Sequence, residues 1–291
     1  MSLLDALFLV VFWSWAASAV LFLLQTAVPK IPPGDPPDMD NASVEAVRFQ
    51  ATDGLWLSGW KISVDPTRPW IIACHGLGVN RADLMDVIRA LVRSRYNLLL
   101  FDFRGHGVSQ GRWSSFGWQE QRDLEGALAF LGQQPDVAER PYGVYGVSMG
   151  GAVALLVAAR DERIGAVAVD GVYPDLEDSL AHHLRLLYHL PAVPFLWYLN
   201  LTYRLRFGVW PKTVAPGQAV GKISPRAFLL ISTTNDQRIP AAESETLFQS
   251  AQAPKEHWRI PSADHLEGFA KDPEVYRKKL AGFFDSYLTD S

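Results

Sequence analysis

The stretch Gly146-Val147-Ser148-Met149-Gly150 decides the fold, because an apolar, β-rich run precedes it and an Ala/Leu-rich run follows it. Residues 142–147 are typical of a buried strand, and residues 151–159 are typical of a buried helix. A serine on a tight strand-to-helix turn has a strained backbone that exposes its hydroxyl at the sheet edge. Side chains two positions away would collide in such a turn, and both positions hold glycine. The pattern therefore predicts a nucleophilic serine at 148.

A nucleophilic serine requires a histidine base, and the imidazole requires a carboxylate to orient it. The apolar run at 226–231 predicts a strand, and Asp236 follows it in a loop. A shorter strand signal at 257–260 precedes His265 in the same way. Both side chains would lie just past strand ends, where open α/β sheets build their sites. The chain order of serine, acid and histidine is the expected one.

Other residues compete for some of these roles. Asp170 is the alternative acid, because it also ends a predicted strand at 164–169. Asp264 adjoins His265, but an adjacent side chain in a loop usually points away from its neighbour. His75 and His106 lie beside glycine turns, and we interpret both as structural hydrogen-bonding groups rather than bases.

The developing oxyanion requires two backbone N–H donors. Met149 supplies one from the turn itself, and Leu77, in the loop after the strand at 70–74, would supply the second. That strand ends at Cys74, which we interpret as a small buried apolar residue rather than a reactive thiol.

Together these motifs resemble those of the α/β-hydrolase-fold serine hydrolases. The matching elements are His75-Gly76, the segment 102–109 with its Arg-Gly-x-Gly-x-Ser pattern, the turn at Ser148, Asp236 and His265. The resemblance extends from about residue 44 to the C-terminus, and the segment 102–109 is similar to that of a membrane-anchored branch and of serine-aminopeptidase-like proteins. It implies Ser148 as nucleophile, His265 as base and then acid, and Asp236 as the orienting acid. It also implies backbone donors at Leu77 and Met149.

Other chemistries are excluded by spacing and composition. The run from Gly76 to Arg81 imitates a dinucleotide fingerprint, but its third position is arginine rather than glycine. A histidine group at 182, 183 and 189 has no carboxylate or cysteine at ligand spacing. The sequence therefore predicts no cofactor and no metal. The net charge of −4 gives no electrostatic reason to expect nucleic acid.

The N-terminal segment is the second strong feature. Residues 6–28 carry no charge, and at ~1.5 Å per residue they match a hydrocarbon core of about 30 Å. A cleaved signal peptide is the alternative, with a processing site at 17–19. However, Asp5 is the only charge that precedes the apolar run, which continues past that site. We therefore predict a transmembrane anchor at 1–28, and Lys30 on its C-terminal side favours a cytoplasmic catalytic domain.

The remaining chain predicts one catalytic domain, since 48% of the 291 residues are hydrophobic and 20% are charged. Residues 29–43 contain five prolines and predict a stiff tether that holds the domain off the bilayer. Residues 44–291 predict an α/β-hydrolase fold, with an opening hairpin and then a mainly parallel twisted sheet covered by helices on both faces. Predicted strands lie at 70–74, 98–103, 142–147, 164–169, 227–231 and 256–260, and helices near 81–95, 118–132, 149–160, 241–251 and 273–287.

The alternation stops between about 172 and 222, where an insertion rich in Leu, Tyr, Phe and Trp would cap the serine. Its apolar character predicts a pocket for an acyl or otherwise lipophilic substrate, lipids included. With the resemblance to serine hydrolases, this implies cleavage of a carboxylic ester or thioester through an acyl-enzyme intermediate. Two other functions stay open. An aminopeptidase would need an acidic group for the substrate ammonium, which Asp175, Glu177 or Asp178 could supply. A non-catalytic membrane scaffold would have no need of all three triad residue types.

Overall fold

The computed structural model describes residues 2–135, 137 and 140–288. Met1, which we assigned to the anchor, lies outside the described residues. So do residues 136, 138, 139 and 289–291, which we assigned to the hydrolase domain. The helices are α1 Leu3–Thr26, α2 Met85–Arg93, α3 Glu120–Gly132, α4 Met149–Ala158, α5 Leu176–Tyr188, α6 Ala192–Phe207, α7 Pro216–Ala219, α8 Ala241–Ser250, α9 Gly268–Lys271 and α10 Pro273–Leu288. The strands are β1 Ser43–Gln50, β2 Trp56–Ser63, β3 Trp70–Cys74, β4 Asn97–Phe101, β5 Tyr142–Val147, β6 Ile164–Asp170, β7 Ala227–Thr233 and β8 Lys255–Ile260.

The eight strands form one sheet in the order β1-β2-β4-β3-β5-β6-β7-β8. The β1–β2 hairpin is antiparallel, β2 joins β4 antiparallel, and every later pair is parallel. The central strands β3, β4 and β5 are buried at every residue, as expected for parallel strands covered on both faces. The predicted fold class, an α/β-hydrolase sheet with helices on both faces, is confirmed.

Two apolar clusters cover the two faces of the sheet. One includes α3, α4 and much of the insertion at 172–222, and the other includes α2 and α10. The predicted strand at 98–103 ends earlier, at Phe101, because Asp102 is the buried centre of a loop rather than a strand residue. Residues 81–84 form a 3₁₀ turn rather than the first turn of α2.

The insertion at 172–222, which we call the cap, consists mainly of α5 and α6. Helix α6 turns Leu199 and Tyr203 inward, and the Tyr203 hydroxyl donates a hydrogen bond of 2.8 Å to the carbonyl of Ser115. Helix α5 begins at Asp175, whose carboxylate accepts hydrogen bonds from the N–H groups of Glu177 and Asp178. The Tyr203 bond joins the cap to the body of the domain, and the Asp175 bonds close the first turn of α5.

Helix α1 is long and apolar enough to cross a membrane by length and composition, over Leu4–Leu24 with a mean hydropathy of 2.3. It begins with a capping box, in which Ser2 and Asp5 exchange side chain-to-backbone hydrogen bonds. Its other end does not project freely from the domain. Helix α1 packs along α6, and Phe22 is almost completely buried there.

The segment after α1 differs from the predicted tether. The Lys30 ammonium donates to the carbonyl of Ser109 at 2.6 Å, and the Asn80 amide donates to the carbonyl of Ile31 at 2.9 Å. Further on, Met39 is buried in the apolar cluster that includes α2 and α10. Residues 29–43 thus lie against the domain at several points and do not act as a free spacer.

Candidate active site

The turn between β5 and α4 holds Ser148 in a strained conformation, with φ of 50° and ψ of −120°. A positive φ is unfavourable for a residue with a side chain, and it turns the hydroxyl away from the sheet. The flanking glycines are required by close packing. A Cβ on Gly146 would lie 2.6 Å from the carbonyl oxygen of Gly150, and one on Gly150 would lie 2.3 Å from that of Cys74.

The structure brings the three residues of the sequence-predicted triad together. Nδ1 of His265 lies 2.7 Å from Oδ2 of Asp236, and Nε2 of His265 lies 3.3 Å from Oγ of Ser148. The second oxygen of Asp236 accepts hydrogen bonds from the N–H groups of Arg238 and Ile239, both at 2.8 Å. The carboxylate is thus held by its own loop while it orients the imidazole.

The two competing carboxylates occupy other positions. Asp170 accepts a hydrogen bond of 2.8 Å from the Tyr276 hydroxyl, and burial raises its pKa to about 6. Asp264 is exposed and accepts a hydrogen bond from the backbone N–H of His265 at 2.7 Å, which helps to shape the histidine loop. Hydrogen bonds to backbone N–H groups, that of His265 first, lower the pKa of Asp264. Neither carboxylate is bonded to the His265 ring.

The loop that carries Leu77 is braced by two buried histidines. Nε2 of His75 accepts from the N–H of Phe103 at 3.0 Å, and Nε2 of His106 accepts from the N–H of Gly78 at 3.2 Å. An accepting Nε2 requires a neutral ring with its proton on Nδ1. Burial lowers the pKa of His75 to about 3 and lowers that of His106. Both rings therefore serve as structural groups, as the sequence suggested.

A buried ion pair holds the 3₁₀ turn that follows the loop of Leu77. Nη1 of Arg81 lies 2.5 Å from Oδ2 of Asp102, whose carboxylate also accepts from the N–H groups of Arg81 and Val108. A Cβ on Gly107 would lie 2.0 Å from this carboxylate, so only glycine fits there. Arg104 is paired in the same manner with Asp123. These charged residues stabilise their loops and lie outside the cavity described next.

Ser148 and His265 face a cavity of 420 Å³, within the range of small-molecule sites. Leu77 and Met149, the predicted oxyanion donors, line the same cavity. Met149 is the first residue of α4, where backbone N–H groups have no partner inside the helix. Most of the other lining residues are apolar: Leu24, Ala27, Val28, Pro29, Val79, Phe116, Leu176, Leu180, Leu187, Ile239 and Leu266.

Sequence reasoning missed one wall of this cavity. Leu24, Ala27, Val28 and Pro29 belong to the end of α1 and the segment after it, which we had assigned to an anchor and a tether. No local pattern in the sequence marks an N-terminal apolar helix as part of a distant pocket. The nearest signal was the continuation of the apolar run beyond residue 19, which argued against cleavage there.

Cys74 is completely buried, and burial raises the pKa of its thiol, as expected for an unreactive residue. Among the residues that the structure describes, no group of three or more His, Cys, Asp and Glu side chains is placed to hold a metal ion. His182 bonds instead to the carbonyl of Gln237, and His183 bonds to that of Ser179.

Comparison with known proteins agrees with this architecture. The family model of the alpha/beta hydrolase fold matches residues 69–207. The Bacillus subtilis protein YqkD is 29% identical over 240 residues, which cover 82% of this chain and 78% of YqkD. The Escherichia coli (strain K12) protein YfhR is 29% identical over 257 residues, which cover 86% of this chain and 83% of YfhR.

Among solved structures, the Pyrococcus furiosus esterase Pf2001 superposes with a TM-score of 0.72 at 23% identity. The match covers 90% of this chain and 99% of the esterase. The chain therefore has the α/β-hydrolase fold, and this fold together with its esterase neighbours supports a hydrolase.

Proposed function

We propose that this protein is a serine hydrolase that cleaves a carboxylic ester or thioester with a lipophilic acyl group. One observation carries the proposal. The His265 ring connects the Asp236 carboxylate to the Ser148 hydroxyl at 2.7 and 3.3 Å, at the wall of an apolar cavity. A base within hydrogen-bond reach of a hydroxyl, and itself oriented by a third group, is the arrangement that activates serine.

In the first half-reaction, Nε2 of His265 accepts the Ser148 proton as Oγ attacks the carbonyl carbon. Asp236 holds the proton on Nδ1 and stabilises the imidazolium that forms. The backbone N–H groups of Leu77 and Met149 donate to the oxyanion. His265 then gives its proton to the leaving alcohol or thiol, and the acyl group remains on Ser148.

In the second half-reaction, His265 takes a proton from water, and the resulting hydroxide attacks the acyl-enzyme. His265 then gives this proton back to Oγ of Ser148 as the second tetrahedral intermediate collapses, which releases the carboxylic acid and restores the Ser148 hydroxyl. The apolar lining supports an acyl chain as the part of the substrate that the cavity holds, because such surfaces bind hydrocarbon by removing it from water.

The aminopeptidase alternative has less support from the cap. The Asp175 carboxylate accepts the N–H groups of Glu177 and Asp178, and Glu177 accepts from the Asn200 amide at 2.8 Å. These bonds engage one oxygen of each carboxylate within the cap. None of the three acids that the sequence offered, Asp178 included, is among the described residues that line the cavity. Asp83 is the acidic side chain on the described lining of the cavity, and burial raises its pKa.

Labelling with a fluorophosphonate probe tests the catalytic role of Ser148. The wild-type chain should react covalently, and Ser148→Ala should abolish the reaction while the variant stays folded. Ser179→Ala is the matched control, because Ser179 also lines the cavity but its hydroxyl lies beside His183 rather than His265. Labelling that survives Ser148→Ala would place the nucleophile elsewhere, and no labelling of wild type would favour the scaffold function.

A panel of p-nitrophenyl esters and aminoacyl amides then tests the substrate class. We expect kcat/KM to rise with acyl length, since each buried CH₂ contributes about 0.8 kcal/mol, which is up to roughly fourfold. Hydrolysis of the amides in preference to the esters would favour the peptidase. A flat dependence on acyl length would remove the argument from the apolar lining.

A further inference from the structure

The last turns of α1 are fastened to the cap. The Phe22 side chain is 1% exposed, and its ring lies edge-on to Tyr203 at 6.1 Å and to Phe207 at 6.0 Å between centroids. Ser18 is buried one turn earlier, and the Thr26 carbonyl accepts the Ser114 N–H at 2.9 Å. One face of residues 18–26 therefore packs against α6 and the body of the domain.

This attachment limits how α1 can cross a bilayer. Residues 3–17, which precede the packed turns, extend for only about 22 Å at ~1.5 Å per residue. The hydrocarbon core is about 30 Å thick. If α1 spans the membrane, about 8 Å of the packed portion must also lie within hydrocarbon, and α6, which packs on it, must lie at the same depth.

The outer surface of α6 has the composition that this depth requires. Trp197, Leu201 and Leu205 follow one another at four-residue spacing and so share one face of the helix. Trp197 is 63% exposed and Leu205 is 73% exposed, although the opposite face of α6 is also apolar and buried. A helix that is apolar on both faces needs an apolar surrounding on both sides.

Basic and aromatic side chains accompany this surface near the end of α6. The guanidinium of Arg204 lies 5.0 Å from the Trp210 ring centroid, and that of Arg206 lies 4.6 Å from the Trp113 ring centroid. Tryptophan is enriched at the boundary between hydrocarbon and headgroups, and arginine extends its charge from there toward water. The pairs therefore suit the level where the cap would meet lipid headgroups.

Two exposed leucines border the catalytic cavity. Leu24 of α1 and Leu187 of α5 both line the cavity, and both are also exposed to the outside. An opening bordered by exposed leucines from α1 and the cap would be unfavourable in water and favourable in hydrocarbon.

We propose that the cap is immersed in the lipid leaflet beside α1, with the outer face of α6 in contact with acyl chains. The acyl chain of a membrane-resident ester then enters the cavity between α1 and α5 without passing through water. The immersion follows from the packing of α1 on the cap together with the predicted crossing of the bilayer by α1, and the use of that opening by a substrate rests on the proposed function.

The chain offers a direct test of immersion, because its single cysteine, Cys74, is completely buried and will not compete for a thiol-reactive dye. Trp197→Cys and Leu205→Cys would each be labelled with an environment-sensitive fluorophore in the full-length protein, reconstituted in phosphatidylcholine vesicles. Val275→Cys is the matched control, since Val275 is an exposed apolar residue on α10, away from the cap. We expect quenching by doxyl-labelled phospholipid at 197 and 205, and quenching by aqueous iodide at 275.

Iodide quenching at 197 and 205 with no doxyl quenching would overturn the proposal. Protection of both sites from both quenchers would also overturn it, because it would indicate a second protein chain on this face rather than lipid. The control at 275 shows that the reconstituted protein exposes its catalytic domain to solvent.

A second measurement tests substrate access. Leu205→Glu places a charge in the leaflet, so hydrolysis of a long-chain ester dissolved in vesicles should fall by about tenfold. Hydrolysis of water-soluble p-nitrophenyl acetate and fluorophosphonate labelling should stay near wild type, as should both activities of Val275→Glu. Equal loss on both substrates, or no loss on the vesicle substrate, would overturn entrance from the leaflet. A wild-type chain with doxyl quenching but no hydrolysis of any ester would instead refute the proposed esterase function alone.

Discussion

Replacement of Asp236 by asparagine tests the triad sharply, because the site restricts how the amide can be placed. One carboxylate oxygen of Asp236 accepts the N–H groups of Arg238 and Ile239, both at 2.8 Å. In Asp236→Asn the amide oxygen must take this position, since an NH₂ group cannot accept those bonds. The amide NH₂ then faces Nδ1 of His265, which contacts Oδ2 at 2.7 Å in the native site.

An NH₂ donor at this position reverses the tautomer of the imidazole. Nδ1 becomes the acceptor, the ring proton moves to Nε2, and Nε2 can no longer take the proton of Ser148. The loop stays intact because both backbone N–H groups keep their acceptor. We therefore expect kcat for ester hydrolysis to fall about 10⁴-fold, which corresponds to roughly 5 kcal/mol in the barrier, with little change in Tm.

The assay compares single-turnover acylation by a chromogenic ester in wild type, Asp236→Asn and Asp170→Asn. Asp170 is the matched control, because it is the competing carboxylate and its oxygen accepts from the Tyr276 hydroxyl, which an asparagine oxygen can replace. We expect Asp170→Asn to retain activity within about tenfold of wild type. A loss of less than about tenfold in Asp236→Asn, with a severe loss in Asp170→Asn, would refute the assignment of the acid.

Three further predictions follow from packing and burial. Gly150→Ala should prevent folding, because its Cβ would lie 2.3 Å from a backbone carbonyl of β3, whereas Gly282→Ala, which meets open space, should leave Tm unchanged or raise it. Phe22→Ala should lower stability by about 3 kcal/mol and Tm by several degrees in detergent, while Val20→Ala on the exposed face of α1 should change neither. Because burial raises the pKa of Asp170 to about 6, the folded chain holds this proton to higher pH than the unfolded chain does. The free energy of unfolding of wild type therefore falls as pH rises through about 4 to 6, because the buried carboxyl loses its proton there. Asp170→Asn cannot lose this proton, so its free energy of unfolding should rise relative to that of wild type by up to about 3 kcal/mol across this range and then stay constant at higher pH. Tm measured against pH for both proteins checks this.

Much of the fold and the candidate site is encoded in local patterns. The turn at Ser148 is recognisable because glycines flank the serine and because a strand and a helix adjoin it within a few residues. Asp236 and His265 were found for a similar reason, since each follows a strand whose apolar run ends a few residues earlier. Parallel strands place their carboxyl ends at one edge of the sheet, so local position alone predicted that the three side chains would meet.

The choice between Asp236 and Asp170 could not be made in this way, because both residues lie at strand ends on neighbouring strands. The two acids differ in their contacts. The Asp236 carboxylate bonds to the His265 ring, whereas Asp170 accepts from Tyr276, which lies on α10 and is distant along the chain. Residues so far apart in the sequence form such hydrogen bonds without any periodic pattern that could reveal the contact.

The sequence by itself therefore determined the sheet, the nucleophile turn and the set of candidate triad residues, because strand and helix periodicity and glycine sterics act over short distances along the chain. Only the tertiary structure decided which acid contacts His265 and that the end of α1 forms a wall of the cavity. That wall depends on Phe22 packing against Tyr203 and Phe207 of the cap, about 180 residues further along the chain. Such a contact is set by the complementary shapes of two folded surfaces, and each surface exists only after its own helix has formed and docked.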